Sequence, residues 1–350
     1  VSQGAPEIRI DQLTGARTIL APARAERPDG FDPHPAAPKP GGADRCPFCE
    51  GREDRTPPEV WAERPGGGAP DTPGWTARSV PNLYPVLAEP GEAEAPKPET
   101  GFASSIDPLG GSTRDAEPDL FRSQPATGAH EVIISAPEHA ISLAQLSEER
   151  LAGTVAAWRE RMRAHPDAGY VHLIVNEGSD AGGSLEHSHA QLYALGFVPA
   201  AVARERERAS AYHERTMGSH LLGDVATQEV RRRERLVAVD DDTLLICPWA
   251  SGSPFELRLI PRRPQARFED DEGGAAMIGT ALRALSGALG ALPQFNLWVR
   301  TAPRRTEEFC WHIDIVPRLT IRAGFELGTG VDINVYPPER AAADLREALG

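Results

Sequence analysis

Cysteine, methionine and aromatic residues are scarce in this chain of 350 residues: four Cys, three Met and 6% Phe, Trp and Tyr. With so few cysteines over such a length, a disulfide framework is excluded as the source of stability. No apolar run approaches the roughly 20 residues that a helical bilayer span needs. The sequence also does not open on a charged-then-apolar leader, so a cytoplasmic protein is expected. Positive charge is in deficit too, 37 Lys and Arg against 51 Asp and Glu, for a formal charge of −14. Such a surface repels polyanions, and neither nucleic acid nor an anionic membrane is expected as a partner. A small anionic ligand held by a few arginines stays compatible with it. The length is enough for a sizeable core in one large domain or two smaller ones.

What is present is uneven. Residues 84–128 are rich in Pro, Gly, Ala and Glu and show neither helical nor strand periodicity, which reads mostly as a surface excursion. Ordered patterning begins at "HEVIISAPEH", a β-rich run ended by Pro137. A helix is expected from about Ser147 to His165, with Leu151, Val155, Trp158 and Met162 on one face. "YVHLIVNEG" reads as an apolar strand, "SDAGGSLE" as a loop, and "HSHAQLYAL" as a second strand. The same order recurs later: "PFELRLIPRRP", an apolar helix over residues 273–291, "FNLWVRTAP" and "CWHIDIVPRL". A strand, helix, strand, loop, strand unit used twice implies two related α+β halves, joined near residues 200–245.

The stretch "HSHAQ" carries the chemistry. On a strand, residues i, i+2 and i+4 share a side, so His187, His189 and Gln191 are expected to line one face. A solvated strand face gives the same pattern. The preceding "GSDAGGS" favours the other reading, since small residues let backbone N–H groups approach an anion closely. Gln191 can add an amide donor. An imidazole beside phosphate donors can attack phosphorus and hold a nucleotidyl group, splitting one difficult transfer into two easier ones.

Cys46 and Cys49 form a C-x-x-C in "RCPFCEG". By itself this fits a redox pair, two unconnected thiols or half of a zinc site, because no further ligand pair lies nearby in sequence. Cys247 and Cys310 are separated, have apolar or aromatic neighbours, and read as core cysteines.

Taken in order, "LTGARTILAPARAERP", "CPFCEG", "VPNL", "GAHEVIISAPEH", "VNEGSDAGGSLEHSHAQ", "IVPRLTIRAGFELGTG" and "PPERAAADLREAL" resemble the galactose-1-phosphate uridylyltransferase family, the transferase branch of the histidine triad superfamily. The resemblance spans nearly the whole chain apart from residues 84–128. It implies a duplicated histidine-triad-like α+β fold with two related halves, 1–200 and 201–350, each with an antiparallel sheet and packed helices. By the same resemblance His189 is the nucleophile and Gln191 bonds the transferred phosphoryl group. Arg24, Arg27, Asn176, Gly182 and Ser184 surround the phosphates, Asn82 meets the nucleotide, and Gly328 and Gly330 lie on the acceptor side. Cys46, Cys49, His139 and His187 become the four ligands of a structural zinc site. A homodimer is expected.

The reaction so implied moves a nucleoside monophosphate from a nucleotide-sugar to a hexose 1-phosphate, in the manner of UDP-glucose and galactose 1-phosphate. In the alternative, inorganic phosphate is the acceptor, as for an ADP-glucose phosphorylase. "GFELGTGVDIN" and HSH resemble that branch, whereas "TMGSHLLGD" stands where its second cysteine pair would be. His312 has Cys310 in place of a second histidine, and a buried, non-catalytic role is expected for it. A zinc-stabilised nucleotide-binding protein without turnover is the reading from a different class.

Overall fold

The computed structural model describes residues 5–26, 31, 42–88 and 124–350. The expectation for the middle of the surface excursion, residues 89–123, lies outside these, as does Arg27. In chain order the elements are β1 (Glu7–Ile10), β2 (Arg17–Leu20), β3 (Trp61–Glu63), β4 (Ala77–Pro81), β5 (Gly128–Ile134), α1 (Glu148–Arg163), β6 (Tyr170–Glu177), β7 (His189–Leu195), α2 (Ala200–Thr216), α3 (Leu221–Arg232), β8 (Leu236–Val239), β9 (Thr243–Ile246), β10 (Leu257–Pro261), α4 (Ala275–Leu289), β11 (Phe295–Arg300), β12 (His312–Pro317), α5 (Gly324–Thr329), β13 (Asp332–Asn334) and α6 (Pro338–Leu349).

The expected repeat is visible as β5–α1–β6–β7 and β10–α4–β11–β12. Its strands join into one ten-stranded sheet of order β3-β4-β5-β7-β6-β11-β12-β10-β9-β8. The two halves meet where β6 pairs antiparallel with β11, Ile174 opposite Trp298. On either side of that seam the order is mirrored, β7 then β5 to one side and β12 then β10 to the other. One face of the central strands is covered by α1 and α4, so Val171, Leu173, Val175, Leu297, Val299 and Ile313 are buried there. Helix α1 starts as expected at Ser147, whose Oγ accepts the Arg150 N–H at 3.2 Å. Its Leu151, Val155, Trp158 and Met162 are all buried. Truncating Trp158 to Ala costs about 3–5 kcal/mol on the usual scale of core cavities.

Two additions frame this sheet. The segment around residues 46–80 packs Cys46, Phe48, Trp75 and Val80 over Val132 and Ile134 of β5, on the face opposite α1. At its margin, the two ends of the excursion are closed by the Gly128 N–H bond to Ala88 O, 2.9 Å. A separate three-stranded sheet, β1-β2-β13, is tied to the second half. There Thr18 Oγ1 donates to Ala250 O at 2.9 Å, and Asn334 Nδ2 donates to Ser251 O at 3.0 Å.

Candidate active site and metal cluster

The strand expected to begin at His187 begins at His189. Ser188 N–H turns away from the ladder to donate to Ala140 O at 2.7 Å. His189, Gln191 and Tyr193 therefore share one face, while His187 lies before the strand and turns to the cysteines. Nε2–H of His187 donates to Ala136 O at 3.0 Å, which leaves its Nδ1 lone pair facing Cys46 Sγ at 3.4 Å and Cys49 Sγ at 3.7 Å. His139 Nδ1 completes the group, 3.5 Å from Cys49 Sγ. All four ligand atoms lie within 4.8 Å of one another. A tetrahedral ion with bonds of about 2.3 Å to sulfur and about 2.0 Å to nitrogen holds its ligands about 3.3–3.8 Å apart, so this Cys2His2 cluster fits one. The outer hydrogen bond of His187 is of the kind that orients a metal-binding imidazole. Burial, with the Cys46 thiol beside it, pushes Cys49 up to about 11. A bound cation reverses that shift by taking the thiolate.

Two residues on, His189 is buried and its Nδ1 lies 2.7 Å from the backbone oxygen of His187. A carbonyl can only accept, so Nδ1 carries the proton and Nε2 keeps its lone pair. Burial lowers the His189 pKa, against the pull of that hydrogen bond, and so favours the neutral, nucleophilic ring. Phe48, between the two cysteines, sets its ring edge against His189 at a centroid distance of 5.2 Å. The segment that carries the two cysteines thus also shapes the surroundings of His189.

Gln191 is oriented by donors. Its Oε1 accepts from the Tyr193 hydroxyl at 2.9 Å and lies 3.1 Å from His130 Nε2. With the oxygen held, the NH2 end is left to donate elsewhere. His130 sits opposite Tyr193 in the β5–β7 register, and the two rings stack at 4.2 Å. Asn82 joins the group, Nδ2 3.1 Å from His130 Nε2. Asn176 on β6 accepts from Asn296 Nδ2 on β11 at 2.7 Å. Sequence reasoning missed Phe48, His130, Tyr193 and Asn296. Alternation along β7 points to Tyr193, but Asn296 comes from the other half through the seam.

The glycine-rich loop departs from expectation. The N–H groups of Ala181, Gly182 and Gly183 donate to Gly178 O, Ser179 O and Gly178 O, and Asp180 N–H donates to Gln294 Oε1 at 2.7 Å. These amides close the loop on itself and on the second half rather than forming a cradle. Gly178 must be glycine: at φ 91° its Cβ would stand 2.2 Å from Gln294 Oε1.

Arg24 is exposed on the turn after β2, and Gly328 and Gly330 belong to exposed α5 and its end. Both regions ride with the three-stranded sheet on the second half. That sheet is anchored beside β10, four strand spacings or about 19 Å along the large sheet from β7. Among the described residues no hydrogen bond or ion pair joins Arg24, Gly328 or Gly330 to β7.

His312 is the counterpart of His189 in the second half, its Nδ1 3.4 Å from Cys310 O. It is 1% exposed and is closed in by Glu205 of α2 and Asp314, each 3.6 Å from a ring nitrogen. Asp314 also takes the Arg258 Nε–H at 2.6 Å. His312 is thus enclosed among buried Glu205, Asp314 and Arg258.

A family model described as "Galactose-1-phosphate uridyl transferase, N-terminal domain" matches residues 105–199. The ADP-glucose phosphorylase of Arabidopsis thaliana is 30% identical over 99% of this chain and 94% of its own length. The galactose-1-phosphate uridylyltransferase of Cryptococcus neoformans is 25% identical over 97% of this chain and 90% of its own. A crystal structure of the Arabidopsis thaliana ADP-glucose phosphorylase with bound ADP-glucose superposes with a TM-score of 0.76 at 27% identity, covering 98% of this chain and 99% of that one. A uridylyltransferase structure gives 0.70 at 26% identity, covering 98% of each.

Duplicated fold and relatives together define an enzyme of the nucleotidyltransferase class. The chain belongs to the galactose-1-phosphate uridylyltransferase family. No helix among the described residues is long and apolar enough to cross a membrane.

Proposed function

We propose that this enzyme takes a nucleoside monophosphate from a nucleotide-sugar onto His189 and passes it to a phosphate acceptor. The observation that carries this is the His189 Nδ1–H bond to the His187 carbonyl at 2.7 Å, which leaves Nε2 as the attacking atom. Nε2 bonds to the α-phosphorus, and the bond from that phosphorus to the bridging oxygen breaks. Sugar 1-phosphate leaves with the bond's electrons. An acceptor phosphate oxygen then attacks, the P–N bond breaks, and neutral His189 returns. The His187 carbonyl stabilises the imidazolium character of the intermediate. Gln191, held by Tyr193 and His130, donates to the phosphoryl oxygens, with Asn176 and Ser184 beside them.

Inorganic phosphate is the acceptor we favour, with ADP-glucose as donor. This reading draws on the full-length likeness to the Arabidopsis phosphorylase. Hexose 1-phosphate is the second reading, supported by the relatives named as uridylyltransferases. Isolated nucleotidylated enzyme offered phosphate or galactose 1-phosphate separates them by which one discharges it quickly. Failure of both acceptors on labelled enzyme would reject both.

Zinc is the ion we assign to Cys46, Cys49, His139 and His187, since a closed S2N2 set with no open position suits a structural zinc site. It holds the geometry of the segment that bears His189. Four free cysteines and a thiolate-based cluster suit a reducing, cytoplasmic setting. We further propose a homodimer in which residues 1–200 bring metal and nucleophile. The turn bearing Arg24, Arg27 after it in sequence, and the region of Gly328 and Gly330 within 201–350 are supplied to the site by a second copy. Distance within one chain and the exposed Ile8, Phe325 and Leu327 around the small sheet favour this. Mixing His189→Ala with Arg24→Ala chains restores activity if the site is shared between copies, and does not if it is complete in one.

A further inference from the structure

Glu177 is the last residue of β6, and its carboxyl is buried with no cation beside it among the described residues. Its neighbour Asn176 faces the reaction side, so alternation sends Glu177 into the apolar layer, where a carboxyl group is costly unless its position is used. Two donors meet one of its oxygens: Leu143 N–H to Oε1 at 2.7 Å and the Ser188 hydroxyl to Oε1 at 2.9 Å. The other oxygen, Oε2, is buried without a hydrogen-bond partner among the described residues. Burial raises this carboxyl to about 7, and the groups facing it, the Ser142 and Ser188 hydroxyls and the Leu143 N–H, are all neutral.

Ser188 is the residue between His187 and His189. Its N–H bonds to Ala140 O at 2.7 Å, and its oxygen accepts from Ser135 N–H at 3.4 Å. The peptide joining His187 to Ser188 supplies the carbonyl that takes the His189 Nδ1–H. Through Leu143 the same Glu177 oxygen holds the segment that carries His139. One buried carboxyl thus ties together the two chain segments whose relative placement sets the His189 ring.

We propose that Glu177 is a positioning residue for the nucleophile, acting through Ser188 and the His187 carbonyl to fix the tautomer and orientation of His189. The inference rests on the proposed role of His189 and adds a residue to it.

The test uses the full chain with ADP-glucose as probe, as Glu177→Gln, Glu177→Ala and Ser188→Ala. Three readouts are taken: the single-turnover rate of protein labelling by intact mass, metal content, and the 15N signals of His189. Glu177→Gln keeps the oxygen that both donors use, so labelling and the Nδ1–H signal remain close to those of the parent. Glu177→Ala and Ser188→Ala lower the labelling rate about 10- to 100-fold, the usual loss when such an outer contact is removed. Half-saturating ADP-glucose and metal per chain stay unchanged, and the Nδ1–H signal is lost or shifted. Parent-like labelling and signals in both alanine variants would overturn the proposal, as would a Gln variant as impaired as Ala. If the parent itself takes no label, the covalent reading fails, and the 15N signals alone decide whether Glu177 orients His189.

Discussion

Asn296 of β11 donates through Nδ2 to Asn176 Oδ1 of β6 at 2.7 Å and to Ala181 O at 2.7 Å, so the second half of the chain holds Asn176 and the 178–184 loop of the first. Asn296→Ala removes both bonds. We expect a stability loss of about 1–2 kcal/mol by chemical denaturation. Single-turnover rates fall about 10- to 100-fold as Asn176 and the loop lose their position.

His189→Ala abolishes labelling and lowers turnover by roughly 10⁴-fold or more, while circular dichroism and metal content stay those of the parent. His189→Gly regains turnover with added imidazole. Rapid turnover by the alanine variant would eliminate the covalent route.

Removing the metal acts first on the fold. Cys46→Ser takes the bound ion from about one per chain to near zero by elemental analysis. The energy of binding a structural metal is folding energy, so stability drops by roughly 3–5 kcal/mol. A chelator reproduces the loss in the parent and adds nothing in the variant.

Acid stability turns on Glu131. Burial works to raise its pKa, but hydrogen bonds from Arg161, His165 and Ser79 hold it down to about 2. A carboxyl lowered on folding contributes stability that is fully present above its unfolded pKa, near 4.3, and is lost as pH falls through about 2, a contribution of about 3 kcal/mol. Glu131→Gln flattens the dependence of stability on pH across that window in denaturant titrations. An unchanged acid limb would show that other carboxylates govern it.

Gly178→Ala strains a residue with φ 91° and drives its Cβ into Gln294. We expect a loss of about 1–3 kcal/mol. The accompanying shift of the 178–184 loop is read as a raised KM for the nucleotide-sugar.

Local pattern carried much of the fold. The spacing of Leu151, Val155, Trp158 and Met162 located α1, and Ser147 its start. The paired apolar runs located β6, β7, β11 and β12. Local pattern did not reveal that Ser188 bonds to Ala140, which shortens β7 and turns His187 toward the cysteines. Nor could spacing bring His139 to Cys49, since those residues meet only once β5 is folded against the 46–80 segment; the resemblance supplied that ligand set. His130 and Asn296 were hidden for a related reason, because each reaches the site across a strand pairing that no window of sequence contains. The closure of the 178–184 loop was hidden as well, since glycines that permit an anion cradle also permit a tight turn whose amides bond to one another.

The β6–β11 seam has a consequence for how the enzyme comes apart. Neither strand is an edge, so peeling off one half would strip hydrogen bonds from the other along a row from Phe295 to Val299. The amides of these two strands should therefore be the last to exchange with solvent. A backbone nick in the α2–α3 connection should leave two fragments that remain associated as one sheet. The half that bears His312 thus acts as the rigid backing on which the half that bears His189 is mounted.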